Sequence, residues 1–242
     1  MEVIKFLNHN VEIIRKAGLR RLTIYMHPDN PLRVRTNRRT TQKQISDFLQ
    51  SKQKWIEKNI SRFRSMQTLY KTPEFKDGGL FPFLGEQKYF RISSTERLRP
   101  YFQIEEGFLV CYQKSREVSN SELVAEMKPV LRKFYRVESE RYLKDRLNHW
   151  VQVTSLKPKT LSFRANKSRW GSCSSVGHIT LNWKLVCQSK VLIDYVIVHE
   201  LCHLKYMNHS ENFWNSVSQY FPEYKVLKKI LNDQQYLGNF LD

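Results

Sequence analysis

The stretch from Val191 to Trp214, VLIDYVIVHELCHLKYMNHSENFW, constrains this chain more than any other. From Val191 to Met207 it has neither proline nor glycine, and Leu192, Ile193, Val196, Ile197, Leu201 and Leu204 recur at helical spacing. That pattern predicts an apolar helix. His199, Glu200 and His203 interrupt it. On a helix, residues four apart lie about 40° apart on one face, one turn along. Unpaired histidine and glutamate are costly to bury in apolar surroundings, so such a row needs a partner. Two imidazoles so placed can hold one metal ion, with Glu200 beside them to take a proton from metal-activated water.

His209 is a third candidate ligand. On a continuous helix it would lie on the far side, about 9 Å further along. The chain must therefore turn between Tyr206 and His209 for that imidazole to join the others. Asn208 tolerates left-handed backbone, and with Glu211 three residues on it is the expected N-cap of the next helix. That helix carries Phe213, Trp214, Val217 and Phe221 as its core face. Three histidines around one zinc ion, with an open fourth position, is the arrangement of a catalytic rather than a structural site.

The spacing His-Glu-x-x-His-x5-His is that of metzincin proteases, but Tyr206 stands where their turn requires glycine, and no methionine follows Met207 to form a Met-turn. A wider pattern matches better. Ser168-Arg-Trp-Gly-Ser-Cys173, then Ile179-Thr-Leu-Asn-Trp183, then HELCHLKYMNHSENFW resembles the YgjP-like metallopeptidases, relatives of the SprT-like and WLM zincins. The resemblance is strong from about Phe163 to Tyr224 and weaker from Arg20 to Trp55. It implies a zinc-dependent peptidase with His199, His203 and His209 as ligands and Glu200 as general base, acting on a peptide or protein substrate. Arg169, Trp170, Tyr195 and Tyr206 are candidates for shaping the cleft or stabilising an oxyanion.

The four cysteines, at 111, 173, 187 and 202, form no CxxC pair and no disulfide framework. Cys202 reads as a small core residue of the helix, while Cys173 is placed to approach the metal. No apolar run is long enough to span a bilayer, and the N-terminus lacks a secretion signal, which predicts a cytoplasmic protein. The net charge is +18, and it concentrates between Arg15 and Arg64. Such an excess favours contact with nucleic acid, acidic membranes or acidic proteins. Two further readings follow from it: a basic nucleic-acid-binding protein with a structural zinc site, and a protease acting on DNA-bound proteins. A zinc amidohydrolase also stays open.

The expected fold class is α+β. A zincin-like catalytic domain over 120–242, with its helix packed on a small, mostly antiparallel sheet, follows a β-rich N-terminal region over 1–119. In that region Val11–Ile14, Leu22–Tyr25 and Leu32–Arg35 read as strands of a meander, with a turn over 27–31. One basic amphipathic helix follows from Ile45 to Ile60, with Trp55 in its core face. Further strands run over 87–93, 101–104 and 108–112. Ser119 or Asn120 caps a long helix to Trp150, with Met127, Leu131, Phe134, Val137, Leu143 and Leu147 among its inward residues. Thr160–Ala165, Arg169–Cys173 and His178–Leu185 are the last strands, joined by a hairpin turn at Ser174–Gly177 that is the candidate for pairing with substrate.

Overall fold

The computed structural model describes residues 2–27, 30–69, 73–115, 119–166 and 169–242. They fall into two compact units, Met1–Lys71 and Thr72–Asp242.

In the first unit, strands β1 (Glu2–Phe6), β2 (His9–Arg15), β3 (Thr23–His27) and β4 (Asn30–Thr36) form a sheet in the order β1-β2-β4-β3. Alternation turns Val11, Ile13, Leu32 and Val34 to one face, where they are buried against Ile45, Leu49 and Ile56. The sheet is not a simple meander. β4 pairs in parallel with β2 and antiparallel with β3, which brings the two strands richest in inward apolar residues together at the centre. The expected single helix is two, α1 (Gln42–Ser51) and α2 (Gln53–Leu69). Thr41 and Gln44 form a capping box at the start of α1, and the helix ends at Lys52, whose φ of −107° and ψ of 6° leave the helical region. The break resets the phase, so Ile56 is buried and Trp55 is 47% exposed, outside the core. Part of the turn expected over 27–31 lies outside the described residues.

The second unit begins with β5 (Leu80–Phe83), β6 (Glu86–Ser94), β7 (Tyr101–Glu105) and β8 (Phe108–Gln113), ordered β5-β6-β8-β7. Their inner aromatic face packs on Met127, Leu131 and Tyr135 of α3 (Asn120–Thr154). Ser119 caps that helix through a capping box with Glu122, and the helix continues unbroken past Pro129. Its buried positions step by four: Met127, Leu131, Tyr135, Ser139, Leu143, Leu147. Val137 lies on the opposite side and is 54% exposed, against expectation. Asn120, where the sequence suggests that the catalytic half begins, lies within this second unit because α3 packs on the cores of both halves.

Strands β9 (Thr160–Arg164), β10 (Gly171–Cys173) and β11 (His178–Asn182) form a small mixed sheet, ordered β10-β11-β9. β10 and β11 are the expected hairpin, closed by Gly177 at a φ of 81°, while β9 runs parallel to β11. The strand expected to reach Leu185 ends at Asn182, whose side chain accepts a hydrogen bond from the Lys184 amide (3.1 Å) and starts a 3-10 turn, Trp183–Cys187. Ile179 and Leu181 face α4 (Lys190–Cys202). Helix α3 backs α4 as the sequence suggests, fastened by a bidentate pair in which Arg146 donates to both carboxylate oxygens of Asp194 at 2.7 Å. Helices α5 (Glu211–Ser218) and α6 (Tyr224–Asp233) pack on α4 from the remaining sides. Thus α4 is buried nearly all round rather than along one stripe. The result is an α+β fold. Among the described residues no helix is long and apolar enough to cross a membrane.

Candidate metal centre

Helix α4 stops at Cys202 because the backbone tightens there. The amides of Leu204 and Lys205 bond three residues back, to Leu201 and Cys202. His203 therefore sits at the C-cap in ordinary right-handed geometry. Its Nδ1 lies 2.9 Å from the Tyr206 carbonyl oxygen, which closes the turn and identifies Nδ1 as the protonated nitrogen. Nε2 is the nitrogen that remains to face a ligand. No residue of this turn has positive φ among those described. Asn208 is neither left-handed nor the cap: Ser210 holds the N-cap position of α5, without a side-chain hydrogen bond. The α-helical form is thus given up earlier than the sequence suggests.

The turn brings His209 back onto α4. Its Nε2 lies 3.2 Å from Nε2 of His199, and ligand atoms of His199, His203 and His209 all fall within 4.8 Å of one another. Helix α5 holds the three rings. Phe213, fully buried, stacks on His203 at 4.4 Å and meets His199 and His209 edge-on at 4.9 Å each. Trp214 stacks on His209 at 5.4 Å and on Tyr224 at 4.7 Å, so an otherwise exposed imidazole has a fixed plane.

This donor set fits a metal ion. Nitrogens about 2.0–2.1 Å from a tetrahedral zinc would stand roughly 3.3 Å apart, and two histidine nitrogens already face each other at 3.2 Å. Burial pushes the pKa of His199 down to about 3, with the other two imidazoles and Lys228 adding to the effect, and His209 is lowered for the same leading reason. Both stay neutral at physiological pH, the form that binds metal. Among the described residues the group holds three histidines and no carboxylate or thiolate, which leaves a tetrahedral ion one open corner.

Glu200 sits beside them, 5% exposed. Burial raises its pKa to about 8, with Arg169 opposing. One carboxylate oxygen, Oε2, is buried without a hydrogen-bond partner, an arrangement that needs a water or a reacting group. Strand β10 holds the carboxylate from the other side. A Cβ on Gly171 would come within 2.6 Å of Cγ and Oε1 of Glu200, so any side chain there would displace the carboxylate.

A cleft of about 430 Å³ opens over the histidines, walled by β10, α4 and α6. Arg169, Trp170 and Tyr195 line it, while Tyr206 does not; Tyr206 contributes its backbone carbonyl to His203 instead. Tyr195 is buried and its hydroxyl pKa is raised to about 12 by desolvation. Trp170 donates its indole N–H to the Leu231 carbonyl (3.4 Å). Cys173 lines the cleft as a thiol pushed up to about 11 by burial, outside the histidine group. Cys202 is buried, with its sulfur 3.4 Å from the Ser216 hydroxyl. Asn182 bonds backbone, as the sequence allows, donating to the carbonyls of Asn166 (2.9 Å) and Arg169 (3.1 Å). Ser168 lies outside the described residues. Gly171 and Lys228 are site residues that pattern reading missed, because each acts through tertiary contacts.

The family model for the YgjP-like metallopeptidase domain matches residues 20–234. The chain belongs to the YgjP-like metallopeptidase family. The span of the match takes in β9 to β11, α4, the three histidines and Glu200, and it begins within the first unit, as the weaker resemblance over Arg20–Trp55 suggests. Two solved structures are similar over part of the chain. The metallopeptidase zymogen abylysin of Pyrococcus abyssi is 27% identical, covering 38% of this chain and 95% of that one, with a TM-score of 0.35. The metallopeptidase zymogen jannalysin of Methanocaldococcus jannaschii is 26% identical, covering 37% and 94%, with a TM-score of 0.34. No curated protein matches.

Proposed function

We propose that the chain is a zinc peptidase in which His199, His203 and His209 hold one ion and Glu200 is the general base. The observation that carries this reading is the convergence of three imidazoles beside a buried carboxylate with an unpartnered oxygen. A zinc ion held there would supply a Lewis acid, acidifying water and polarising a peptide carbonyl. The chain's own residues do the rest. Glu200 accepts the proton of the attacking water and returns it to the leaving nitrogen. Its pKa near 8 in the metal-free site comes from desolvation, and a neighbouring cation lowers it, so that the base is ionised when the site is loaded.

Substrate has an edge to pair with. Asn182 donates its amide to the Trp170 carbonyl (2.8 Å) and Ser174 donates its own to the His178 carbonyl (2.9 Å). By antiparallel alternation, the N–H and C=O of Gly171 and Cys173 turn to the open side of β10. An extended peptide bound there by main-chain bonds would pass Glu200 regardless of most of its side chains. Arg169 and Tyr195 are the remaining oxyanion candidates, since both line the cleft. Nucleic acid is not part of the proposal. In the first unit Arg15 pairs with Glu2 and Arg33 with Glu12, so part of the basic excess is satisfied internally.

The test is Glu200→Gln. It should keep one zinc per chain by elemental analysis while peptide hydrolysis falls below detection. Turnover that persists at full zinc content would remove Glu200 from the role of base.

A further inference from the structure

The cleft walls carry two cations from distant parts of the chain, Arg169 just before β10 and Lys228 on α6. Both are exposed, and neither has a carboxylate partner within ion-pairing distance among the described residues. Among the described residues Glu200 is the only acidic one lining the cleft, and it is buried against Gly171. The opening is therefore cationic before any metal enters.

Lys228 stands where a positive charge is unfavourable for metal binding. Its Nζ lies 4.7 Å from the Trp214 ring centre, on the ring that stacks against His209, which sets its charge beside the proposed ligands. The cation–π contact offsets part of that cost. A bound anion would offset the rest. Arg169 lines the same cleft as Glu200, and its planar guanidinium suits a carboxylate.

We propose that Arg169 and Lys228 are two cationic subsites that select peptides carrying a carboxylate beside the bond to be cut. This rests on the reading of the site as a peptidase and names its substrate class. The net charge of +18 acts in the same direction at long range, drawing acidic chains toward the protein. The carboxylate can come from an Asp or Glu side chain or from a peptide's C-terminus.

Binding separates the subsites from the chemistry. The zinc-loaded full chain carrying Glu200→Gln is titrated, by fluorescence polarisation, with peptides of equal length. These have Asp and Glu, or Asn and Gln, around the centre, and each is made with a free or an amidated C-terminus. The acidic peptides should bind roughly threefold to tenfold more tightly per carboxylate, between the worth of an exposed ion pair and a charge-assisted one. Arg169→Gln and Lys228→Gln should each shrink that ratio. Arg169→Glu with Lys228→Glu should turn the preference toward lysine-bearing peptides, whereas Lys144→Glu, on α3 away from the cleft, should leave it in place. Loss of the preference on amidation alone assigns the carboxylate to the peptide terminus. Equal binding of acidic and neutral peptides, a preference that survives the double reversal, or an equal loss in Lys144→Glu would overturn the proposal. If instead the preference holds but the unsubstituted chain cleaves no peptide, the subsites stand and the hydrolytic reading fails.

Discussion

Gly171→Ala probes the link between the sheet and the proposed base. Gly171 pairs with Leu181, so its missing side chain points to the core face of the sheet, toward Glu200. An added Cβ would stand 2.6 Å from both Cγ and Oε1 of Glu200, and 2.8 Å from Cδ. Ordinary carbon contacts are about 3.5–4.0 Å, so the carboxylate must retreat by about 1 Å. The backbone of Gly171 is not left-handed, which leaves steric overlap as the sole cause. The expected cost in stability is about 1–3 kcal/mol, as for an overpacked core, or roughly 2–4 °C of Tm per kcal/mol for a domain of this size. The catalytic cost should be larger, because a misplacement of about 1 Å can lower a rate roughly 100-fold. The histidines are untouched. Zinc content by elemental analysis should therefore stay at one per chain while kcat on a fluorogenic peptide falls about 100-fold. A folded Gly171→Ala protein with full zinc and undiminished kcat would refute the argument, since the carboxylate would then not be positioned by β10 or not be the base.

His209→Ala should weaken zinc by more than about 100-fold, exceeding what loss of a mere outer-shell partner costs; unchanged occupancy against a competing chelator would assign the third ligand to Glu211 or Cys173. The metal-free protein should also show a particular pH dependence. Folding raises the pKa of Glu200 from 4.5 to about 8, so the folded state keeps a proton that the unfolded chain loses, and stability falls as pH rises through that window. Folding lowers the pKa of His199 from 6.5 to about 3, so the unfolded chain takes up a proton that the folded state refuses, and stability falls as pH drops below 6.5. The two effects oppose between pH 4.5 and 6.5. Between pH 6.5 and 8, urea denaturation in chelator should show a loss of up to about 1.4 kcal/mol per pH unit. Glu200→Gln should abolish that slope; equal slopes in the two proteins would contradict the burial argument.

Patterns confined to one element were legible. His199, Glu200 and His203 share a helix, and their relation follows from its pitch. The β10–β11 hairpin announces itself through Ser174–Gly177, and Ser119 is one of the two caps that the sequence offers for α3. Features that depend on phase were read less well. Trp55 and Val137 sit at plausible apolar positions, yet a one-residue break at Lys52 and a strict step of four along α3 turn them outward. The way His209 returns to the helix was expected, but not its means: i→i+3 backbone bonds and the His203–Tyr206 contact turn the chain, and Asn208 is not used.

Before any folding is considered, the order of residues already determines which donors exist, how far apart they lie along the backbone and that their helix must be buried. Chemistry of that kind is local, since a helix repeats every few residues whatever surrounds it. Only the tertiary structure decides that β9 and β11 run parallel, that Gly171 leaves room for a carboxylate from another element, and that Lys228 of α6 joins Arg169 at one cleft. Those relations arise from side chains that are remote in the chain and meet only when apolar faces are buried together. No spacing in the sequence records them.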